Sequence, residues 1–429
     1  MRVSIPYGRS ALSCDIPDDR LRGVLVSKLR DLKADGPEEG IVRKSLEQPI
    51  ASPRLRDLAR GKRNVVILSS DHTRPVPSRI IMPLLLEEVR AGNPDADVTI
   101  LVSTGGHRAT TPRELLERYG KEIAEGERIV VHDSHDEGLL VPVGTLPSGG
   151  ALVLNRLAVE ADLLVAEGFI EPHFFAGFSG GRKSVFPGVA GYRTVMANHC
   201  AEFIASDGAS TGVLEGNPIH RDMVHAARTA GLAFICNVVL DSAKRIVASF
   251  SGDMERAHEE GCALVGRFAR VQAVPADIVL TGNGGYPLDQ NLYQAVKSMT
   301  AGEATCRRGG VIIVASECSD GHGGEAFSRT FEAVKTAKDV MDHIMARGRD
   351  ETEADQWQIQ IFARVLMNHR VIMVTSAPRE MVERLNMEWA PTLEAAISRA
   401  EAVLGNPGAG ITVVPDGVGV IVAAGRQGE

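Results

Sequence analysis

The chain has 429 residues, of which 44 % are hydrophobic and 24 % charged, and this length predicts two domains rather than one hydrophobic core. Its formal net charge of −8 argues against nucleic acid as a partner, because phosphate binding needs a basic surface. The six cysteines form no CxxC pair, the N-terminus lacks the apolar region of a signal peptide, and no apolar run is long enough for a membrane span. We therefore expect a soluble, cytoplasmic protein with reduced thiols and no membrane partner.

Short apolar runs rich in β-branched residues recur along the chain, and each ends in glycine or a polar residue before an amphipathic segment. They lie at residues 65–68, 98–102, 163–165, 278–280 and 311–314. This alternation predicts an α/β fold of two domains with largely parallel, Rossmann-like sheets. Ligands of such sheets bind beyond the carboxyl ends of the strands. We expect the active site in the cleft between the two domains.

Local signals predict helix starts and a domain boundary. Thr111, Pro112 and Glu114 form a capping box at the start of one helix, and a second helix is expected over residues 289–299. The boundary is expected near residues 268–276, which gives an N-terminal α/β domain over 1–270 and a C-terminal α/β domain over 271–407. Two short strands are expected within 408–429, and this segment is a candidate to return to the first domain.

The segment GGRKS places a lysine in a glycine-rich loop. It departs from the P-loop pattern, because Arg182 separates Gly181 from Lys183 and Pro187 follows where a P-loop begins its helix. The segment is either a solvated basic turn or a reactive lysine, since Arg182 disfavours the charged form of its neighbour. Four phenylalanines lie within thirteen residues here: Phe174, Phe175, Phe178 and Phe186. This density of rings is typical of an apolar pocket wall and favours the reactive lysine.

Three histidines lie in loops: His107 and His173 follow predicted strands, and His199 follows the basic loop. Because loops at strand ends converge on one crevice in an α/β domain, the three are candidates for one site. A zinc hydrolase is a weaker alternative, because the sequence lacks the HxH and HExxH pairs typical of such enzymes. His132 and His135 offer a competing metal site, which we interpret as a polar turn.

Further polar residues are suited to an anionic ligand. Arg74 follows the first predicted strand and is able to bind a carboxylate in bidentate fashion. On the second predicted helix, Gln290, Tyr293, Gln294 and Lys297 recur at helical spacing and share one face. This face is either a solvated surface or a wall of the ligand crevice with Lys297 as a second cation.

The motifs DHTRP, GGHR, EPHFFAGFSGGRKSVFPG, ANH and LYQAVKS occur in this order and strongly resemble the lactate racemase family over nearly the whole chain. The resemblance implies a nickel-pincer nucleotide, which is nickel bound to a pyridinium-derived mononucleotide, in the N-terminal domain. It implies that Lys183 bonds covalently to this cofactor through a thioamide. It also implies that His199 ligates the nickel beside sulfur, carbon and sulfur donors of the pincer. His107 and His173 are implied as acid and base on opposite faces of the substrate.

The same motifs imply the remaining site residues and the partners. Arg74 and Lys297 are implied to hold the substrate carboxylate. The other implied cofactor-binding residues are Asp71, Gly105, Gly106, Tyr293 and Gln294. The implied partners are a small 2-hydroxy acid and the enzymes that build and load the cofactor.

The expected activity is that of an isomerase. It interconverts the D and L enantiomers of lactate, or of another short 2-hydroxy acid, by proton-coupled hydride transfer through a 2-keto acid. One alternative is the same machinery acting on malate, an aromatic 2-hydroxy acid or a sugar acid. An alternative of another class is a non-catalytic nucleotide- or metal-binding protein. An NAD-dependent dehydrogenase is disfavoured, because the turn TGNGG lacks the full GxGxxG spacing.

Overall fold

The computed structural model describes residues 1–241, 243–334 and 336–423. The strands are β1 (Arg2–Tyr7), β2 (Ser10–Asp15), β3 (Leu21–Val24), β4 (Asn64–Ser70), β5 (Asp97–Ser103), β6 (Arg128–Val131), β7 (Leu140–Thr145), β8 (Ala151–Asn155), β9 (Leu163–Phe169), β10 (Pro172–His173), β11 (Gly177–Phe178), β12 (Leu232–Leu240), β13 (Ile246–Gly252), β14 (Arg270–Gln272), β15 (Ala276–Gly282), β16 (Cys306–Ala315), β17 (Arg370–Val374), β18 (Glu388–Ala390), β19 (Ile411–Val414) and β20 (Ile421–Ala423).

The helices are α1 (Glu38–Glu47), α2 (Leu55–Leu58), α3 (Ser78–Gly92), α4 (Pro112–Tyr119), α5 (Lys121–Gly126), α6 (Arg156–Val159), α7 (Tyr192–Asn198), α8 (Ala201–Ile204), α9 (Pro218–Thr229), α10 (Arg256–Ala269), α11 (Leu292–Glu303), α12 (Glu325–Ala333), α13 (Ala337–Met345), α14 (Gln356–Asn368), α15 (Arg379–Arg384) and α16 (Leu393–Leu404). Short 3-10 turns lie at Lys28–Asp31, Glu137–Leu139, Gly181–Ser184 and Arg349–Glu351. Within the described ranges, no helix combines the length and the apolar character needed to cross a bilayer.

The chain folds into two compact units, which are described separately. Unit I comprises residues 29–198 and 206–267, and unit II comprises residues 1–28, 199–205 and the chain from 268 onward. Each unit is built on a six-stranded sheet, and helices alternate with the strands. The predicted α/β class with largely parallel sheets is confirmed.

The sheet of unit I has the strand order β13-β12-β9-β4-β5-β6. Neighbouring strands run parallel except for the antiparallel pair β12 and β13. Residues 65–68 of β4 are 0 % exposed, which is typical of a central parallel strand covered on both faces. Because β9, β4 and β5 are adjacent and parallel, the loops after them meet at one edge of the sheet.

Helix α4 begins at the predicted capping box. The Thr111 hydroxyl accepts a hydrogen bond from the N–H of Glu114 at 3.3 Å, and Oε2 of Glu114 accepts one from the N–H of Thr111 at 2.8 Å. Each of these two hydrogen bonds satisfies a backbone N–H group that has no acceptor within the helix at its first turn. This cap fixes where α4 starts and thereby places the side chains of its last turn.

The sheet of unit II has the order β18-β17-β16-β15-β19-β3, with every neighbouring pair parallel. Residues 1–28, which were expected in the N-terminal domain, belong to this unit, because β3 pairs with β19. Strands β19 and β20 do not return to the first domain, since they pair with β15 and β14. Residues 424–429 of the predicted C-terminal segment lie outside the described residues.

Helix α11 begins later than the sequence predicts. It starts at Leu292 rather than near residue 289, because the Asn291 side chain is the N-cap and accepts a hydrogen bond from the N–H of Gln294 at 2.9 Å. The segment before it is a turn after β15. Tyr293, Gln294 and Lys297 lie on the first two turns of the helix.

Candidate active site

The loops after β4 and β5 bring a carboxylate and an imidazole together. Nδ1 of His107 lies 2.6 Å from Oδ2 of Asp71. Thr73 supports the carboxylate, since its hydroxyl donates to Oδ1 at 2.6 Å and its backbone N–H at 3.1 Å. Because a carboxylate accepts hydrogen bonds, His107 donates through Nδ1, which leaves Nε2 as the nitrogen that can take up a proton. The pair is therefore a base oriented by a carboxylate.

Asp71 remains charged although its side chain is only 2 % exposed. Burial alone would raise the pKa of Asp71, but the charge and hydrogen bond of His107, together with Arg74 and Thr73, hold that pKa well below its ordinary value. The side chain of His107 is 34 % exposed, so part of its ring is accessible to a substrate.

Arg118 of α4 holds the loop that carries Asp71 and Arg74. Its guanidinium donates to the backbone carbonyl oxygens of Asp71, of Arg74 at 2.7 Å and of Val76 at 3.3 Å. Arg74 itself donates to the Thr73 hydroxyl at 2.8 Å, and this hydroxyl donates to Asp71. The roles of Arg118 and Thr73 could not be predicted from the sequence, because no local pattern marks a side chain that supports a loop in this way.

A buried acid on β9 is connected to Arg118 through Ser78. Oε1 of Glu167 accepts hydrogen bonds from the hydroxyls of Ser69 and Ser78, each at 2.5 Å. The Tyr119 hydroxyl donates to Ser69 at 2.8 Å, so the network joins α3 and α4 to the sheet. Burial raises the pKa of Glu167 above its ordinary value, and this favours the neutral acid.

His173 lies in a short β-hairpin, in which the two-residue strand β10 (Pro172–His173) pairs with the two-residue strand β11 (Gly177–Phe178). The backbone N–H of Ala176 donates to Nδ1 of His173 at 3.2 Å, so the neutral ring carries its proton on Nε2. Phe174 and Phe175 pack on this ring, with centroid distances of 5.0 and 4.6 Å. The histidine is therefore set among apolar rings.

Lys183 lies in the 3-10 turn Gly181–Ser184, and this turn does not lead into the helix that a P-loop requires. Nζ of Lys183 lies 5.8 Å from the ring centroid of Phe175, within the range of a cation–π interaction. Phe175 thus packs against both His173 and Lys183, so these two predicted site residues contact the same aromatic ring.

The end of β5 and the glycine pair that follows it are hydrogen-bonded to the 3-10 turn and to the residues just after this turn. The N–H of Gly105 donates to the carbonyl of Gly188 at 2.9 Å, and the Ser103 hydroxyl donates to the carbonyl of Ser184 at 3.1 Å. Gly105 has a φ of +57°, which favours glycine. A Cβ atom on Gly106 would meet no atom within 4 Å, so this position borders open space.

His132 and His135 do not form a metal site with each other. Nε2 of His132 donates to the carbonyl of Ala190 at 3.1 Å, and Nδ1 accepts from the Asn155 amide at 3.0 Å. Both ring nitrogens of His132 are therefore engaged, and burial lowers its pKa. The ring of His135 packs on Tyr192 at a centroid distance of 4.4 Å.

His199, Tyr293, Gln294 and Lys297 belong to unit II. The ring of His199 meets Trp357 edge to face, with centroids 4.8 Å apart. Nε1 of Trp357 donates to the hydroxyl of Tyr293 at 2.9 Å, so one indole connects two predicted site residues. Trp357 was not among the residues predicted from the sequence, although it is one of only two tryptophans in the chain.

The described residues contain no group of three or more histidine, cysteine, aspartate or glutamate side chains that could hold a metal ion. A pincer cofactor that brings three donors of its own fits a single buried histidine, which is 3 % exposed here.

Both parts of the chain match models of known protein domains. Residues 7–212 match the model of the lactate racemase N-terminal domain, and residues 271–422 match that of the C-terminal domain. The chain is 58 % identical to a lactate racemase of Thermoanaerobacterium thermosaccharolyticum and 52 % identical to one of Lactiplantibacillus plantarum, in each case over 98 % of this chain and 99 % of the relative. The structure of the lactate racemase apoprotein from Thermoanaerobacterium thermosaccharolyticum superposes with a TM-score of 0.94 at 57 % identity, covering 99 % of this chain and 100 % of that one. The chain belongs to the lactate racemase family.

Proposed function

We propose that this isomerase interconverts D- and L-lactate, with His107 and His173 as the proton-transferring residues. The observation that carries the proposal is the 2.6 Å contact between Asp71 and His107. A carboxylate on Nδ1 fixes the imidazole tautomer and stabilises the imidazolium that forms when Nε2 takes up a proton. The two relatives named lactate racemase, at 58 % and 52 % identity, support lactate as the substrate.

The proposed cofactor is a nickel-pincer nucleotide, with Lys183 as its covalent attachment and His199 as the nickel ligand. When bound, it supplies an acceptor and donor for the hydride of the C2–H bond, so that no carbanion has to form. The other residues proposed to bind the cofactor are Asp71, Gly105, Gly106, Tyr293 and Gln294.

The proposed roles of the other residues follow from the chemistry of racemisation. Arg74 and Lys297 hold the substrate carboxylate, so that the planar 2-keto acid stays anchored between the two halves of the reaction. One histidine takes the hydroxyl proton on one face of the substrate. The other histidine, in its protonated form, returns a proton to the oxygen on the opposite face. When His173 is protonated, its Nδ1 gives up the hydrogen bond that it accepts from the Ala176 N–H. The aromatic rings around His173 exclude water from this step.

The cellular context is part of the same proposal. Enzymes that build the cofactor are its partners for loading, and the cytoplasm is its compartment. The six cysteines are free thiols in the structure, which agrees with a reducing compartment.

The experiment is to produce the protein together with cofactor-building enzymes and to follow enantiopure L- and D-lactate by circular dichroism. We expect loss of optical activity from either enantiomer, with nickel in the protein and added mass on the peptide that carries Lys183. A Lys183→Ala variant is the control and should lack both the added mass and turnover. Turnover of malate, an aromatic 2-hydroxy acid or a sugar acid without turnover of lactate would overturn the substrate assignment. An active enzyme with unmodified Lys183 would overturn the attachment.

A further inference from the structure

Arg182, the neighbour of Lys183, is a fully buried cation bound to the main chain of its own loop. Its side chain is 0 % exposed. The guanidinium donates to the carbonyl oxygens of Ala176 at 2.8 Å, Phe178 at 2.8 Å and Gly180 at 3.2 Å. All three carbonyls belong to the segment between His173 and Lys183. One side chain therefore defines the path of the backbone that connects the two.

Two imidazoles complete the surroundings of this guanidinium. Nε of Arg182 donates to Nδ1 of His220 at 3.0 Å, so His220 accepts and is neutral. Nη1 lies 3.1 Å from Nε2 of His258, which is also 2.8 Å from the carbonyl of Ser179. A carbonyl only accepts, so Nε2 of His258 carries the proton and donates it to the loop. His258 thus holds the same segment from another side.

The pKa shifts agree with neutral imidazoles at His220 and His258 beside the charged guanidinium of Arg182. Burial and the charge of Arg182 lower the pKa of His220 to about 3 and that of His258 well below its ordinary value. Burial lowers the pKa of Arg182 to about 10, which leaves the guanidinium charged at neutral pH. Within the described residues, Arg182 donates hydrogen bonds to carbonyl oxygens and to the imidazole of His220, and to no carboxylate. Because a buried charge without a counter-ion is costly, the hydrogen bonds with the loop must offset its desolvation.

We propose that Arg182 is a positioning residue of the active site, which fixes the segment 173–183 through three main-chain carbonyls, with His220 as its neutral acceptor. The proposal rests on the proposed roles of His173 and Lys183. The fork of a guanidinium is rigid and planar, so it fixes three carbonyls in one arrangement, whereas an ammonium group on a flexible stem does not. A small displacement of a catalytic side chain costs far more in rate than in stability.

The test uses His220, which touches Arg182 but has no role in the proposed catalysis. His220→Asn retains an acceptor near the position of Nδ1, and His220→Leu removes it. Arg182→Lys retains the charge and loses the fork. Arg228→Lys is the matched control, because Arg228 lies on the same helix as His220 and pairs with Glu255 at the surface.

We expect His220→Leu and Arg182→Lys to lower kcat per modified Lys183 roughly ten- to hundredfold with KM nearly unchanged. His220→Asn should recover most of kcat, and Arg228→Lys should match the wild type. A purely structural role would lower the melting temperature of His220→Leu and leave kcat per modified lysine unchanged, and that result overturns the proposal.

A second measurement is independent of activity. In the cofactor-free proteins, hydrogen–deuterium exchange of residues 173–183 should be faster in His220→Leu and Arg182→Lys than in His220→Asn and the wild type. Equal exchange in all four proteins also overturns the proposal. If the wild type racemises no hydroxy acid but this exchange pattern holds, the proposed function has failed and the fixing of the loop stands.

Discussion

The carboxylate of Asp71 and the imidazole of His107 meet at 2.6 Å although they lie 36 positions apart in the sequence. The strands before them, β4 and β5, pair in parallel up to Ser70 opposite Ser103. Both loops therefore leave the sheet at the same level. The contact follows from the register of two adjacent strands, and Thr73 and Arg118 then fix its details.

Replacing Asp71 by asparagine removes the charge that stabilises protonated His107. We expect kcat for racemisation to fall roughly a hundred- to ten-thousandfold in a protein that still folds. Steady-state kinetics with both lactate enantiomers checks this. The exposed substitution Asp95→Asn is the control and should leave kcat unchanged. An Asp71→Asn enzyme with wild-type kcat would show that the imidazole works without its carboxylate.

Glu167 makes stability depend on pH. Because its pKa is raised in the fold, its favourable contribution to the free energy of unfolding is present below the unfolded-state value of about 4.3 and is lost as the pH rises through the folded-state value. Glu167→Gln keeps an acceptor for Ser69 and Ser78 but cannot ionise. The melting temperature of the variant relative to the wild type should therefore increase as the pH rises above the unfolded-state value.

The control for this pH series is Glu117→Gln, since the Glu117 side chain is 58 % exposed. Its melting temperature should follow that of the wild type throughout. A difference between Glu167→Gln and the wild type that stays constant with pH would mean that Glu167 does not change its protonation in this range.

His199 and His107 have different proposed tasks, and single substitutions separate them. His199→Ala should deplete nickel, whereas His107→Ala should keep nickel and lose turnover. Metal analysis of the purified proteins, combined with the mass of the Lys183 peptide, checks both. His343→Ala, at an exposed position on α13, is the control. Full nickel content in His199→Ala would remove this histidine from the metal site.

Arg74 is proposed to bind the substrate carboxylate with its planar fork. Arg74→Lys retains the charge but loses the bidentate geometry and the hydrogen bond to the Thr73 hydroxyl. We expect KM for lactate to rise about tenfold, with a smaller effect on nickel content. Steady-state kinetics measures this, and Arg90→Lys at the surface should behave as the wild type. An unchanged KM would place the carboxylate elsewhere.

The sequence predicted five strands of the two main sheets, namely β4, β5, β9, β15 and β16, because buried parallel strands are continuous apolar runs. Each predicted run is a central strand, as residues 65–68 of β4 illustrate. The sequence did not reveal the place of residues 1–28, since the pairing of β3 with β19 joins opposite ends of the chain. Arg118 and Trp357 were not predicted for a similar reason. Their hydrogen-bond partners are distant along the chain, and no local spacing indicates such contacts.

Arg118 and Arg182 share one property: each binds three carbonyl oxygens of a loop that carries proposed site residues. Carbonyl oxygens are present in every amino acid, so this support does not depend on which side chains the loops contain. Exchanging a loop side chain other than a proposed site residue or a glycine therefore leaves these main-chain acceptors in place. Such positions are suitable for engineering the choice of hydroxy acid without displacing the two histidines proposed to transfer protons.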